Sequence, residues 1–339
     1  MLKAISTTSV RSVTRAGFLW AVAIVVVVMA AVLLPAFRTP VSVNSLLASL
    51  APLLLIAIGQ AIVVIFGGID LSVGAVAGMA TVVLSLHTIV PGGAPAAVAL
   101  AVAAGLVLGL VNGTGVLLGI NPLLMTFAMA GVVQGIALLL QVAPDAGTPF
   151  DLVKVLASSF GSVPAFALVA IVALVLAWLW MSQSRTGRVI QAAGYDQRIA
   201  TRLGLPVRTA TLIAFGLSGA FAALGGLAIV ARTFTADALV GSSSVIDSIS
   251  IVLVAGIAIT GGVGSLLSVL PAAVIIAVVG QSITLTGTDA YYQTIFKGVL
   301  LIAAMGLYQL SGSTIRLPWC LGLRARDRTN AQASRELKE

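Results

Sequence analysis

The chain has 339 residues, of which 60% are hydrophobic and only 8% are charged, and its net charge is +8. With a mean hydropathy of +1.16, this composition excludes a soluble globular protein, in which about a quarter of the residues are charged. The apolar runs are continuous over about 20 residues rather than alternating, which favours membrane-spanning helices over a β-barrel. We therefore predict an all-α polytopic membrane protein.

Apolar runs of this length predict about ten transmembrane helices. The first run could instead be a signal peptide, because Arg11 and Arg15 precede it, but it is long for one and no small-residue cleavage site follows Phe37. The predicted spans are residues 18–37, 45–66, 69–90, 95–119, 123–142, 162–182, 208–231, 246–260, 266–285 and 291–310. They divide the chain into an N-terminal segment (1–17), a transmembrane domain (18–310) and a C-terminal tail (311–339).

Basic residues predict the orientation, because cytoplasmic loops accumulate Lys and Arg. With the N-terminus inside, the basic residues of three segments all lie on the cytoplasmic side: 3–15, 185–208 and 316–338. An even number of spans with both termini cytoplasmic fits this distribution. The positive net charge is then explained by membrane topology, and no nucleic-acid partner is expected. Four basic residues fall elsewhere: Arg38, Lys154, Arg232 and Lys297.

The stretch GGIDLSVG, residues 67–74, places Asp70 between two apolar runs. A carboxylate near the bilayer centre costs about 2.5–3.5 kcal/mol on insertion scales, so it normally faces the bundle interior or water and marks a pathway. Gly67 and Gly68 favour a break in the helix at this point. Asp70 and Ser72 could equally cap the next helix, because their side chains accept hydrogen bonds from free amides of a first turn.

A second polar interval, residues 235–265, contains Asp247 in the sequence DSIS, which echoes DLS at residues 70–72. The echo favours two related halves that meet at a central pathway, an arrangement typical of transporters. We predict that Asp70, Ser72 and Asp247 line or shape this pathway, together with Asn121, which precedes Pro122 at a helix start.

The longest polar interval within the membrane domain is the loop at about residues 183–207. Its middle, QRIATRLG, has helical character, with Gly204 as a C-terminal cap and Pro206 as a stop signal. The segment is predicted to be a short helix on the cytoplasmic surface. It is either a solvated connector or a docking element for a cytoplasmic partner.

No motif in the chain predicts catalysis. A phosphate-binding loop of the form G-x-x-x-x-G-K-[ST] is absent, and the single cysteine, Cys320, offers neither a disulfide nor a metal cluster. The sequence GLSG around Ser218 matches that of rhomboid-type intramembrane proteases, but such a serine needs a base. The only histidine, His87, lies upstream of Ser218, opposite to the rhomboid order. Ser218 is better interpreted as a small residue at a helix contact.

Four motifs together resemble the membrane subunit of ribose-type ATP-binding-cassette (ABC) sugar importers, within the branched-chain amino acid and ribose permease superfamily. They are GGIDLSVG (67–74), GRVIQAAGYDQRIATRLGLPV (187–207), GGVGS (261–265) and YYQTIFKGVLLIAA (291–304). The similarity covers about residues 44–310. It implies a bacterial inner-membrane permease that works in a pair and forms the translocation pathway for a monosaccharide or similar solute. It also implies a cytoplasmic ATPase that uses MgATP, a solute-binding protein outside the cell, and no cofactor in this chain.

The resemblance also assigns roles to two sets of residues. The surface loop of the family has a pattern close to G-x-N-x-x-A-A-x-x-S-G-I, from which this chain departs at Asp196, Thr201 and Leu203. The implied ATPase-coupling residues are Gly194, Asp196, Ile199, Ala200, Thr201, Gly204 and Leu205. Small residues let membrane helices approach closely. Glycines expected to serve such packing are Gly67, Gly68, Gly74, Gly261, Gly262 and Gly264.

Three alternatives stay open from the sequence. An ion-coupled secondary transporter could use Asp70 and Asp247 as coupling carboxylates. A permease of the importer type could carry a solute other than a pentose, such as another monosaccharide, a polyol, a sugar-like signal molecule or a nucleoside. The second permease of the pair could be a copy of this chain or a paralogue.

Overall fold

The computed structural model describes residues 2–141, 154, 158–160 and 163–312 of the chain. The chain divides into two units, residues 1–301 and residues 302–339. All packing described below lies within the first unit. Of the second unit, only the last turns of the final helix are described, and the predicted tail lies outside the described residues from residue 313 onward.

The described part of the chain is almost entirely helical. Its α-helices are α1 (Leu2–Leu33), α2 (Pro40–Phe66), α3 (Val73–Ser85), α4 (Gly93–Leu117), α5 (Pro122–Leu140), α6 (Ala165–Gln183), α7 (Arg185–Tyr195), α8 (Gln197–Arg202), α9 (Val207–Thr233), α10 (Ser242–Val254), α11 (Val269–Leu285) and α12 (Ala290–Gly312). Two short strands, β1 (Ser159–Phe160) and β2 (Val163–Pro164), pair antiparallel. The strand pair was not predicted from the sequence.

Six helices of the described residues are long and apolar enough to cross a membrane: α2, α4, α5, α6, α9 and the segment Leu266–Leu285 that contains α11. Three shorter apolar segments are Gly17–Leu33, Val73–Thr88 and Ser242–Val254. The prediction of an all-α polytopic membrane protein is therefore confirmed, whereas these helices do not establish the predicted count of ten.

Helix α9 lies at the centre of the bundle, because its small residues allow three neighbours to approach closely. Gly219 of α9 packs against Gly105 of α4, where an added Cβ on either residue would overlap the other's carbonyl. Gly226 meets Ala77 of α3 in the same way, and Gly225 faces Ile56 of α2. Without a hydrophobic driving force between helices in lipid, such backbone contact is a main source of helix association.

Contacts along α9 show how deep the other elements lie. Arg232, near its last residue, bonds to Ser49 of α2, and Ser218, near its middle, packs against Gly59 of α2. The two helices are thus antiparallel. At 1.5 Å per residue, α9 is about 40 Å long, enough to span a bilayer. We refer to the end where α9 begins, next to α7 and α8, as the α8 end, and to the end with Arg232 as the Arg232 end.

Two short helices, α3 and α10, begin inside the bundle rather than at its surface. The backbone at Gly74, in the first turn of α3, packs on the backbone of Gly241, the residue before α10. Helix α3 then runs towards the Arg232 end, where Thr81 bonds to the carbonyl of Asp237. Helix α10 runs the other way and ends before the loop at residues 255–265, which contacts the end of α2 through Gly262.

Two details of the predicted spans are wrong. The third span does not start at residue 69, because Gly67 adopts a left-handed conformation with φ of 97° and the backbone is non-helical until Val73. The eighth span does not start at residue 246, because α10 begins at Ser242 and Asp247 lies in its second turn. The sequences DLS and DSIS therefore occupy different structural positions.

Candidate functional site

Asp70 lies in the non-helical segment between α2 and α3 and is only 1% exposed. Its Oδ1 accepts hydrogen bonds from the amide of Ser72 at 2.9 Å and from the Ser72 hydroxyl at 2.6 Å. Its Oδ2 accepts from the hydroxyl of Ser218 in α9 at 2.7 Å. The Ser72 hydroxyl in turn accepts from Nδ2 of Asn112 in α4 at 2.8 Å. We call Asp70, Ser72, Asn112 and Ser218 the Asp70 cluster.

The Asp70 cluster joins three helices in a place that no described cavity reaches. All four side chains are buried, and Thr126 of α5 bonds to the backbone of the break, where its hydroxyl accepts from the amide of Leu71 at 3.0 Å. Ser72 is the residue before α3, but its hydroxyl does not cap an amide of that helix. Asp70 instead fixes the turn that precedes α3 and holds it against α9, a structural arrangement that suits a break inside a membrane.

Asn121 lies away from both the Asp70 cluster and the cavity described below. It is exposed at the start of α5, where its Oδ1 accepts from the amide of Leu123 at 2.9 Å. This is the geometry of a helix N-cap next to a proline at the first helical position.

Ser218 does not form a serine–histidine pair. Its hydroxyl donates to Asp70, while His87 lies in a short turn after α3, where Nδ1 is 3.3 Å from the carbonyl of Ser85. The main chain of Ser218 also packs where a side chain on Gly59 would be. Ser218 therefore lies at a contact between α9 and α2, as its interpretation as a small helix-contact residue predicted.

A cavity of about 340 Å³ lies between α2, α9, α10, α11 and α12 and reaches the Arg232 end. This volume is at the lower end of the range of about 300–1,000 Å³ that is common for small-molecule sites. Hydroxyl and amide groups dominate its polar lining, and none of the residues that the structure places there is aromatic. Representative members are Ser45, Ser49, Ser243, Gln281, Thr284 and Gln293.

Three charged side chains also line this cavity. Lys297 of α12 donates from Nζ to Oδ2 of Asp247 at 2.9 Å, and Nζ lies 2.8 Å from Oδ1. Arg232 donates from Nη1 to the Ser49 hydroxyl at 2.8 Å, and within the described ranges it has no carboxylate partner. A molecule that enters the cavity would thus meet one guanidinium, one ion pair and several neutral hydrogen-bond donors and acceptors.

The structure thus separates residues that the sequence grouped together. Asp247 lines the cavity, whereas Asp70 and Ser72 are sealed in the Asp70 cluster and Asn121 caps α5. Sequence reasoning missed Arg232 and Lys297 as cavity residues. Each is a basic residue in or beside an apolar run, and intramembrane charges of this kind are a recognised sign of a functional site.

The exposed face of the surface segment lies at the α8 end. Asp196 caps α8 by accepting from the amide of Ile199 at 2.9 Å, and Gly204 ends the segment in a left-handed conformation with φ of 73°. Ile199 is 55% exposed and Leu203 is 72% exposed, beside exposed arginines of the same turn. Thr201 is also exposed, Ala200 is buried under the helix and Leu205 is half-buried.

Gly194 is buried and connects the surface segment to the bundle. An added Cβ would overlap the carbonyl of Ile65 at the end of α2 and the backbone of Gly262. The amide of Gly262 donates to the same Ile65 carbonyl at 2.8 Å. Helix α7 is therefore in direct backbone contact with both the end of α2 and the loop that follows α10, which carries Asp247.

The other predicted packing glycines differ in what they contact. Gly261 packs on Gly67 with φ of 88°, a conformation that favours glycine. Gly264 approaches Ile257 within its own loop, and Gly68 faces the ring of Phe215. Gly67 and Gly261 thus extend the contact around Gly194, whereas Gly74 belongs to the meeting point of α3 and α10.

Comparison with known proteins identifies a family for this chain. Residues 42–305 match the family described as the branched-chain amino acid transport system / permease component. The D-allose transport system permease protein of Escherichia coli K12 is 29% identical over 299 residues, covering 87% of this chain and 91% of that protein. The ribose import permease protein of Bacillus subtilis 168 is 29% identical over 286 residues, covering 83% and 88%. The galactose/methyl galactoside import permease protein of Escherichia coli K12 is 28% identical over 313 residues, covering 85% and 93%.

Proposed function

The chain belongs to the family of branched-chain amino acid transport system permease components and is a transport subunit of the ABC importer type, not an enzyme; from this premise we propose that it carries a monosaccharide through the inner membrane. The relatives named above are permeases for allose, ribose and galactose. The observation that carries the proposal is the cavity, because its size and its hydroxyl and amide lining suit a small neutral polyhydroxylated solute.

The absence of aromatic rings from the described cavity lining agrees with a permissive pathway. Tight sugar sites usually stack a ring on the sugar, and a pathway must release what it binds. Selection of the sugar then belongs to a solute-binding protein that delivers it at the Arg232 end. Arg232 and the Asp247–Lys297 pair orient the hydroxyls of the solute within the cavity.

In this proposal the α8 end lies in the cytoplasm and the cavity faces the outside. The basic residues of the surface segment, residues 185–208, support this assignment, because positive charge accumulates on cytoplasmic loops. Both termini then lie inside, with about ten membrane crossings in which α3 and α10 are short helices that start within the bilayer.

The exposed residues of α8 and of the turn that follows it dock a cytoplasmic ATPase, which hydrolyses MgATP. Ile199 and Leu203 provide the apolar contact, and Arg198 and Arg202 provide charge beside it. A displacement of α7 reaches α2 and the loop after α10 through Gly194 and Gly262. The loop transmits it to α10 and hence to Asp247, so that the cavity changes shape when the ATPase does. A second permease, as a copy or a paralogue, completes the pair.

The test compares the wild type with Leu203→Glu, which places a carboxylate on the proposed docking face. The matched control, Thr288→Glu, adds the same charge to an exposed residue between α11 and α12, at the other end of the molecule. We expect tagged wild type and the control to recover an ATPase from native membranes, and Leu203→Glu to recover little of it while remaining folded.

Two results would contradict the proposal. The wild type could bring no ATPase while uptake follows a proton or sodium gradient, which would favour an ion-coupled carrier. Alternatively, the recovered complex could import none of a panel of monosaccharides supplied with their binding proteins, which would reject sugar as the cargo.

A further inference from the structure

Two fully buried polar side chains, Gln60 in α2 and Ser250 in α10, have no hydrogen-bond partner among the described residues. Both the amide nitrogen and the amide oxygen of Gln60 are unpaired, as is the hydroxyl of Ser250, and both residues are 0% exposed. An unsatisfied buried polar group destabilises the fold, because its hydrogen bonds to water are lost and not replaced. Native proteins contain few such groups, and each calls for a physical explanation.

Both residues lie on the helix faces that line the cavity. Ser49 and Leu53 of α2 line it, and Gln60 follows them by eleven and seven residues, which returns it to within about 20° of their direction at 100° per residue. Ser243 and Asp247 of α10 line it as well. Ser250 follows Ser243 by seven residues and therefore also lies about 20° from it around the helix.

Both residues also lie beyond the cavity on the side of the α8 end. Gln60 is about 10 Å further along α2 than Leu53, and Ser250 is about 5 Å further along α10 than Asp247. Helix α2 ends at the contact between Ile65 and Gly262, and α10 ends before the loop that carries Gly262. The segments of α2 and α10 that carry them contribute to one apolar cluster of the bundle, which includes Ala57, Ile251 and, from α11, Ile276.

The polar faces of α2 and α10 that line the open cavity thus continue, through Gln60 and Ser250, into the buried apolar part of the bundle, which we call the closed layer. We infer that Gln60 and Ser250 form a second polar site of the transport pathway, which is closed in this conformation. When α2 and α10 separate in the alternate conformation of the transport cycle, this site binds the hydroxyl groups of the solute. The inference rests on the proposed function and extends it. An amide offers two donors and an acceptor, and a hydroxyl offers one donor and two acceptor lone pairs, so both suit a polyhydroxylated solute. In the closed state the described protein residues offer these groups no partner.

The test uses the fact that the chain contains one cysteine, Cys320, so that Cys320→Ser gives a cysteine-free background. Four single cysteines are introduced into it: Ser243→Cys in the open cavity, Ser250→Cys and Gln60→Cys in the closed layer, and Leu55→Cys as a buried control on another face of α2. The complex with its ATPase is reconstituted in nanodiscs and treated with a charged methanethiosulfonate, without nucleotide and with ATP and vanadate.

We expect Ser243→Cys to react without nucleotide and Leu55→Cys to stay slow in both conditions. Ser250→Cys and Gln60→Cys should react slowly without nucleotide and at least about tenfold faster in the trapped state, since reaction with a thiol requires access. If Ser250→Cys and Gln60→Cys react as slowly as Leu55→Cys in both conditions, the inference is overturned. ATP-driven uptake by the wild type would still support the proposed function in that case. The absence of any ATP-driven uptake by the wild type would instead overturn the function itself and the inference with it.

A second variant tests the amide without a label. Gln60→Met keeps the volume and removes the unpaired groups, so the melting temperature should be unchanged or raised, whereas the maximal uptake rate should fall about tenfold. Leu55→Met is the control and should change neither. A lowered melting temperature of Gln60→Met with normal uptake would show that the amide is structural and would overturn the inference.

Discussion

The two buried aspartates of the bundle, Asp70 and Asp247, occupy opposite kinds of environment. Asp70 is enclosed by neutral hydroxyl and amide partners from the helix break and from α9. Asp247 faces a cavity and pairs with a lysine from another helix. The difference teaches that a carboxylate inside a membrane domain can hold a broken helix in place, and that access to a cavity, rather than burial, distinguishes the two aspartates.

Removal of the Asp70 carboxylate should have the largest effect on stability. In Asp70→Ala the amide and hydroxyl of Ser72 and the hydroxyl of Ser218 lose their acceptor inside the bundle, so we expect the free energy of unfolding to fall by about 4 kcal/mol. The melting temperature in detergent and the amount of folded protein measure it. Asp70→Asn should lose about 1 kcal/mol, because its amide oxygen can keep the bonds from Ser72.

Equal losses in the alanine and asparagine variants would contradict this account of Asp70. Normal folding of Asp70→Asn with abolished uptake would show that the carboxylate serves transport directly. The exposed Asp289 provides the control, since Asp289→Asn should leave both stability and uptake unchanged.

A methyl group at Gly194 should have the next largest effect. Gly194→Ala places a Cβ against the carbonyl of Ile65 and the backbone of Gly262, and overpacking of this kind costs about 1–3 kcal/mol. Gly131→Ala in α5 is the matched control, because an added Cβ there meets nothing within 4 Å. The control should be neutral or more stable. A melting temperature of Gly194→Ala equal to that of the control would show that the contact between α7 and α2 is not tight.

Removal of one hydroxyl from the Asp70 cluster should cost less than removal of the carboxylate. Ser218→Ala deletes a single hydrogen bond to Asp70, and a bond to a carboxylate contributes about 1.5–3 kcal/mol. We expect a lower melting temperature with ATP-driven uptake retained in the protein that folds. Complete loss of uptake by folded Ser218→Ala would mean that this serine acts in transport and not only in the cluster.

The smallest change in stability should come from Asp247, together with the larger change in transport. Asp247→Asn keeps an oxygen that can accept a hydrogen bond from Lys297, which is itself partly exposed beside the cavity, so we expect the free energy of unfolding to fall by about 1 kcal/mol. The initial rate of uptake should fall about tenfold, and the double variant Asp247→Asn with Lys297→Gln should recover part of it. A loss of stability as large as that of Asp70→Ala would remove the distinction between the two aspartates.

Local signals in the sequence were sufficient for several elements. Gly204 and Pro206 predicted the end of the surface segment, where Gly204 has a positive φ and α9 begins directly after Pro206. Such signals work because a left-handed residue and a missing amide act within one or two residues of the chain. The same is true of the break at Gly67.

Contacts between distant residues could not be predicted in the same way. Asp70 and Ser218 are 148 residues apart, and Asp247 and Lys297 are 50 residues apart. No local sequence pattern indicates which carboxylate forms an ion pair with a lysine and which accepts a hydrogen bond from a hydroxyl. The resemblance of DLS to DSIS was misleading for this reason, since a few matching letters do not fix the position of a residue within its helix.

The sequence by itself determined that this protein lies in a membrane as a set of helices, because composition and the length of apolar runs decide the transfer of each segment into lipid. It also determined the family, the surface segment and the break before α3. Only the tertiary structure decided that Asp70 is buried, that Asp247 faces a cavity with Arg232 and Lys297, and that Gln60 and Ser250 are buried without partners among the described residues. These properties depend on which helix faces meet, and backbone contacts at glycines such as Gly105 and Gly219 set those meetings across long distances in the chain.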